Sequence, residues 1–97
     1  AHKITQLYGN SQTYDFSEFY AAMDLVFIDG AHHYDAVVND TNNALKMIRP
    51  GGVIVWHDFA NYGDYNDVTR AALDTIGADA IVQLERTQLA IYRAPLP

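Results

Sequence analysis

Two short runs of consecutive apolar residues constrain the fold of this chain more than any other feature. They are Leu25–Ile28 and Val53–Trp56, and each ends at residues typical of turns. Four apolar residues in a row, without polar alternation, indicate a strand that is buried on both faces, as in a parallel sheet. Parallel neighbours need a crossover connection, and the segment between the two runs is long enough to contain a helix.

Two amphipathic helices are predicted next to these strands. The first begins near Asp35, which can cap it, and is ended by the breaker sequence Arg49-Pro50-Gly51-Gly52. The second is marked by apolar residues from Val68 to Ile76 and ends at Gly77. The apolar positions of the first helix recur at helical spacing and fall on one face; they are Val37, Val38, Thr41, Ala44, Leu45 and Ile48.

Three further strands are predicted towards the ends of the chain. Ile4–Tyr8 is a short β-like run near the amino end, closed by a turn cluster at 9–11. Ala80–Leu84 and Gln88–Tyr92 are close enough to form an antiparallel hairpin, whose turn type the sequence leaves open. Strands that alternate with helices predict an α/β fold, in which helices cover the faces of a mostly parallel sheet.

Composition limits the classes of partner. The 97 residues suffice for one domain, and 12 Asp and Glu against 6 Lys and Arg give a formal net charge of −6. This charge argues against nucleic acid and anionic membranes as partners, because both attract a basic surface. No apolar run approaches the roughly 18 residues of a membrane span. The chain has no cysteine, which excludes thiolate chemistry and fits a cytoplasmic location.

Ionisable side chains follow both apolar runs directly. Asp29 comes after the first run, and His57 and Asp58 come after the second; His32 and His33 follow shortly after Asp29. Open α/β sheets bind their ligands at the carboxyl ends of parallel strands. If the two strands are parallel neighbours, these side chains meet at one edge, where they can hold a divalent cation. An imidazole there can also serve as a general base.

Each of these features also has a plain structural interpretation. An Asp after a strand often caps the next helix, and Asp29 with the following glycine is ordinary turn chemistry. Tyr62 and Tyr65 either wall a substrate pocket or pack their loop onto the sheet. Trp56 lies within an apolar strand and is expected in the core, whereas Asp40, beside the apolar stripe of the first helix, is expected on the solvent face.

Two motifs carry a resemblance to a known family. The segment 24–35 reads DLVFIDGAHHYD, and the segment 49–58 reads RPGGVIVWHD. Together they resemble the class I S-adenosylmethionine-dependent methyltransferases, in the group whose fourth strand ends in IDG-x-H-x-Y and whose fifth follows PGG and ends in HD. The similarity extends from about Ile4 to Arg93 and implies a Rossmann-like sheet.

The resemblance implies a reaction and a metal site. Members that methylate hydroxyl groups with metal assistance place one acidic ligand after the fourth strand and two ligands after the fifth. Asp29, His57 and Asp58 stand at the matching positions, although a carboxylate is more usual where this chain has His57. The implied function is transfer of a methyl group from S-adenosylmethionine to a small-molecule hydroxyl, with Mg²⁺ or Mn²⁺ as the assisting metal.

The resemblance also implies a donor site and a base. Asn10 and Ser11 match the turn after the family's third strand, where Asp is more common than Asn, and with Asp29 they are the implied donor-binding residues. His32 or His33 stands where the related group can place a catalytic base.

The chain departs from the family pattern in lacking the glycine-rich loop that holds the methyl donor. No Gly-x-Gly occurs in the sequence, so residues 1–97 are predicted to form a single truncated domain that lacks the cofactor-binding half. The alternative function is therefore a catalytically inactive fragment or remnant that acts as a self-associating or metal-binding module. Without the family's first strands, Leu25–Ile28 becomes an apolar edge. Either the strand Ile4–Tyr8 moves beside it and gives a five-stranded sheet, or the edge pairs with a second chain; the favoured prediction is a homo-oligomer formed through that edge.

Overall fold

A computed structural model describes residues 15–29, 33–59, 66–84 and 86–96. These residues form four strands, two helices and two short 3₁₀ turns, at Ser17–Phe19 and Ala78–Ala80. The predictions for Ile4–Tyr8, Asn10, Ser11, His32, Tyr62 and Tyr65 lie outside the described residues. In chain order, the main elements are β1 (Met23–Ile28), α1 (Tyr34–Met47), β2 (Ile48–Trp56), α2 (Asp67–Ile76), β3 (Val82–Gln83) and β4 (Ala90–Arg93).

The described strands form one sheet in the order β1-β2-β4-β3. The pair β1–β2 is parallel, with Leu25 opposite Val53 and Ile28 opposite Trp56. The pairs β2–β4 and β3–β4 are antiparallel, so the predicted carboxyl-terminal hairpin is confirmed. The α/β class is correct, but the prediction of a mostly parallel sheet is wrong, and the sheet is mixed. The reason is that the hairpin places β4, running in the opposite direction, beside β2.

Both described helices pack on the same face of the sheet. Val37 of α1 and Ala71 of α2 belong to one buried cluster with Ile54 and Trp56 of β2, and the two helices contact each other. The chain crosses the sheet in one direction, from β1 to β2 to β3, and right-handed crossovers in one direction place successive helices on one side. The prediction of helices on both faces is therefore not met by the described residues.

Trp56 anchors this core, as the sequence predicted. Its side chain is fully buried, and its indole Nε1 donates a hydrogen bond of 3.1 Å to Oγ1 of Thr41, which is also fully buried. The bond satisfies the indole N–H, whose burial without a partner would oppose folding.

The ends of the helices differ from the sequence prediction in two places. α1 begins at Tyr34, with His33 at its N-cap position, so Asp35 lies in the first turn and does not cap the helix. β2 begins directly at Ile48, which was predicted on the helix, and the breaker sequence 49–52 lies within this strand. Gly77 ends α2 as predicted, at a φ of 105° that favours glycine. No described helix is long and apolar enough to cross a membrane.

Candidate functional site

The carboxyl ends of β1 and β2 lie side by side. The last residue pair of the parallel ladder is Ile28 and Trp56, and the next backbone N–H, that of His57, donates to the carbonyl of Ile28 at 3.1 Å. This parallel arrangement was predicted and is confirmed. It brings Asp29, His57 and Asp58 to the same edge of the sheet.

The three side chains form a compact group. The Nδ1 atom of His57 lies 3.2 Å from Oδ1 of Asp29 and 3.1 Å from Oδ1 of Asp58. One ligand atom from each residue lies within 4.8 Å of the other two. This Nδ1 atom is buried and makes no hydrogen bond, so its two short contacts with the carboxylates are electrostatic and lack hydrogen-bond direction.

The two carboxylates of this group are partly exposed to solvent. The side chain of Asp29 is 49% exposed and that of Asp58 is 25% exposed. The carboxylates are therefore open enough to exchange a ligand with solvent, while the imidazole nitrogen between them is shielded. A half-open set of two oxygens and one nitrogen is chemically suited to a divalent cation.

Asp58 adopts an unusual backbone conformation. Its φ is 63°, in the left-handed region that non-glycine residues seldom occupy. Two hydrogen bonds hold the backbone here. The carbonyl of Asp58 accepts one of 2.6 Å from Nδ2 of Asn66. The N–H of Phe59, a buried residue, donates one of 2.9 Å to the carbonyl of Gln88. Strained residues of this kind cluster at functional sites.

Asn66 is a residue that the sequence analysis missed. It is the N-cap of α2, where its Oδ1 accepts a hydrogen bond of 2.8 Å from the N–H of Thr69. An Asn directly before the helical pattern that begins near Val68 is a capping signal, so the N-cap role was readable. Its second contact, to Asp58, depends on the tertiary fold.

Of the two candidate base residues, His33 lies within the described residues and is not part of this group. His33 is exposed at the N-cap position of α1, without a side-chain capping bond. Among the described residues, the His and acidic side chains close enough to share one cation are Asp29, His57 and Asp58. His32 lies outside the described residues, so both histidines remain predictions as bases.

A groove of about 170 Å³ opens beside Asp29, between β1 and α1. Val26 and Met47 contribute apolar walls, and Asp40 lines the same groove. Asp40 is half-buried and its Oδ1 is buried without a hydrogen bond, so its predicted place on the solvent face is wrong. The reason is that this flank of α1 packs towards β1.

A polar contact ties α1 to α2. The hydroxyl of Tyr34 donates a hydrogen bond of 2.7 Å to Oδ2 of Asp74. The guanidinium of Arg70 lies 4.9 Å from the centre of the Tyr34 ring. The hydrogen bond to Asp74 raises the pKa of Tyr34, and desolvation and the carboxylate charge act in the same direction. The helix that Asn66 caps is thus fastened to the helix that follows Asp29.

Comparison with known proteins identifies the family. A family model described as a methyltransferase domain matches residues 1–59, and the chain belongs to that family. The matched region contains all three side chains of the group at the sheet edge. Methyltransferase domains in general take their methyl group from S-adenosylmethionine.

One curated relative gives a local match. An uncharacterized protein of Acanthamoeba polyphaga mimivirus, R132, is 45% identical over 40 residues. The match covers 41% of this chain and 18% of the viral protein. The matched part of the chain thus spans less than a fifth of that relative's length.

Proposed function

We propose that this chain carries the substrate and metal side of a class I S-adenosylmethionine-dependent methyltransferase that methylates a hydroxyl group of a small molecule. One observation carries the proposal: Asp29, His57 and Asp58 meet at the carboxyl edge of the parallel pair β1–β2, in a chain of the methyltransferase-domain family. Ligands of open α/β sheets bind at this edge. The specific group, the substrate class and the metal assistance are all part of the proposal.

The residues present fit a divalent cation. Two carboxylates that lie this close repel each other unless a positive charge lies between or beside them. The buried Nδ1 of His57, which makes no hydrogen bond, is a ligand atom of the type that Mn²⁺ accepts alongside oxygen; Mg²⁺ accepts the carboxylates. When bound, such a cation lowers the pKa of a substrate hydroxyl and orients it.

The proposed reaction transfers a methyl group from the sulfonium of the donor to the substrate oxygen. The substrate oxygen forms a bond to the methyl carbon while the carbon–sulfur bond of the sulfonium breaks, and the bonding pair stays on sulfur. The hydroxyl proton passes to a base, for which His32 and His33 are the candidates. Asn10, Ser11 and Asp29 are the proposed contacts to the methyl donor; of these, Asp29 lies within the described residues.

A metal titration tests this proposal. We expect Mn²⁺ to stabilise the chain, by about 2.7 kcal/mol at a concentration 100 times the dissociation constant. Mn²⁺ should stabilise Asp58→Asn much less, and raise its unfolding midpoint much less, because the substitution removes one anionic ligand. The matched control is Asp79→Asn, an exposed carboxylate in the turn Ala78–Ala80, outside the group.

The competing explanation is that the three side chains lie together without binding a cation. In that case Mn²⁺ leaves the melting temperature of the unsubstituted chain unchanged, and calorimetry detects no binding. That result would remove the metal from the proposed function.

A second candidate function is a catalytically inactive remnant that acts as a self-associating module. The observation that favours it is the exposure of Leu25 and Phe27 on β1, which is an edge strand of the described sheet. Titration with S-adenosylmethionine separates the two candidates. Binding supports the enzyme, whereas no heat at millimolar donor excludes catalysis by this chain alone and leaves the remnant.

A further inference from the structure

A single amide side chain links the candidate metal group to the start of α2. Asn66 accepts a hydrogen bond from the N–H of Thr69 through Oδ1 and donates one to the carbonyl of Asp58 through Nδ2, at 2.8 and 2.6 Å. The oxygen of the amide therefore caps the helix, and its nitrogen binds the turn that carries Asp58.

Capping alone does not require this residue. Ser, Asp and Asn are similarly good N-caps, because each offers an oxygen to the free N–H groups of the first turn. Only the amide of Asn accepts and donates at the same time with two separate atoms. The hydrogen bond to Asp58 therefore explains why this position has Asn, although Ser or Asp would cap the helix about as well.

The hydrogen bond from the Asn66 amide is made to the strained residue of the site. Asp58 has a φ of 63°, a conformation that persists only where surrounding contacts hold it. The neighbouring N–H groups of His57 and Phe59 are bonded to the carbonyls of Ile28 and Gln88. The Asn66 amide holds the carbonyl of Asp58 itself.

We propose that Asn66 is a positioning residue that holds Asp58 in its left-handed conformation, so that the Asp58 carboxylate stays beside His57, and that it thereby sets the affinity of the site for a divalent cation. The part of this proposal that concerns the cation rests on the proposed function. The part that concerns the backbone of Asp58 does not.

Asn66→Ser tests the proposal, because it keeps a capping oxygen and removes the amide donor. We expect its unfolding midpoint to stay close to that of the unsubstituted chain, while its affinity for Mn²⁺ falls by about tenfold, as is typical for residues behind a metal ligand. Asn66→Ala should lower both, because it removes the cap as well. Tyr34→Phe is the control, since it loosens the contact between α2 and α1 without touching Asp58.

Proton NMR of the metal-free chain provides the second measurement. A positive φ brings the amide and α protons of one residue close together, so Asp58 should give a strong intraresidue nuclear Overhauser effect that weakens in Asn66→Ser. If that signal and the Mn²⁺ affinity are both unchanged in Asn66→Ser, the positioning role is wrong. If the unsubstituted chain binds no Mn²⁺, the proposed function fails, and the NMR comparison still decides the role of Asn66.

Discussion

The buried pair Trp56 and Thr41 shows how one hydroxyl supports this core. Thr41→Val keeps the shape of the side chain but leaves the indole N–H without its acceptor. We expect a loss of about 1–3 kcal/mol in the free energy of unfolding. Thr41→Ser keeps the hydroxyl and loses one methyl group, at about 0.8 kcal/mol. Urea unfolding followed by the fluorescence of the single tryptophan measures both, and equal stability of Thr41→Val and the unsubstituted chain would contradict the prediction.

Gly52 of β2 has no room for a side chain, because backbone atoms of β1 and of its own strand lie close to it. A Cβ atom at this position would lie 2.9 Å from the carbonyl oxygen of Arg49 and 3.1 Å from that of Met23. Because both neighbours are backbone atoms, one in β2 itself and one in β1, Gly52→Ala should distort β2 and its pairing with β1, at a cost of about 1–3 kcal/mol. Thermal unfolding by circular dichroism checks this. A melting temperature equal to that of the unsubstituted chain would mean that the backbone shifts without cost.

At the scale of residues, the sequence predicted which side chains meet but not how they are held. Asp29, His57 and Asp58 were placed together because parallel strands end at one edge. The left-handed backbone of Asp58 and its contact with Asn66 were not predictable, since both depend on where the start of α2 lies relative to β2. The half-buried position of Asp40 was missed for the same kind of reason.

At the scale of elements, the link between α1 and α2 should depend on pH. The pKa of Tyr34 is raised above its usual value of 10.0 by its hydrogen bond to Asp74. A group whose pKa is higher in the folded state contributes stability below its unfolded pKa, and loses it as the pH rises through the folded value. The chain should therefore lose stability above about pH 10, when the phenolate would face the carboxylate.

Tyr34→Phe separates this contribution from those of the other tyrosines. Melting temperatures of the unsubstituted chain and of Tyr34→Phe, measured from pH 8 to 12, should differ below pH 10 and converge above it. Parallel curves across this range would show that the hydrogen bond to Asp74 does not stabilise the folded state.

The sequence predicted the existence of the elements better than their ends. The periodicity from Val37 to Ile48 identified α1, but a helix that runs directly into a strand leaves no loop residues to mark the change. The breaker sequence 49–52 was therefore interpreted as the stop of the helix, although it lies within β2. The direction of β4 followed from the short hairpin, while its position beside β2 was set by packing that local sequence does not encode.

At the scale of the whole molecule, the described sheet has one covered face and one open face. Phe27, Val55, Ile91 and Val82 are neighbours across the four strands and lie on the face opposite the helices. Phe27 is 51% exposed on edge strand β1, and Val82 is 58% exposed on edge strand β3. The sequence predicted an apolar edge at β1. It did not predict the open face, which follows from both helices packing on one side.

This arrangement leads to a prediction about self-association. β1 pairs along five residues with β2, so its outer side offers a long edge, whereas β3 has two residues. A second copy of the chain should pair with β1 because a long, apolar edge is the more favourable template. Sedimentation velocity should show a dimer that Phe27→Lys converts to a monomer and that Val82→Lys, at the opposite edge of the same face, leaves intact. Dissociation by both substitutions would place the contact on the open face, and a chain that stays monomeric at all concentrations would exclude self-association altogether.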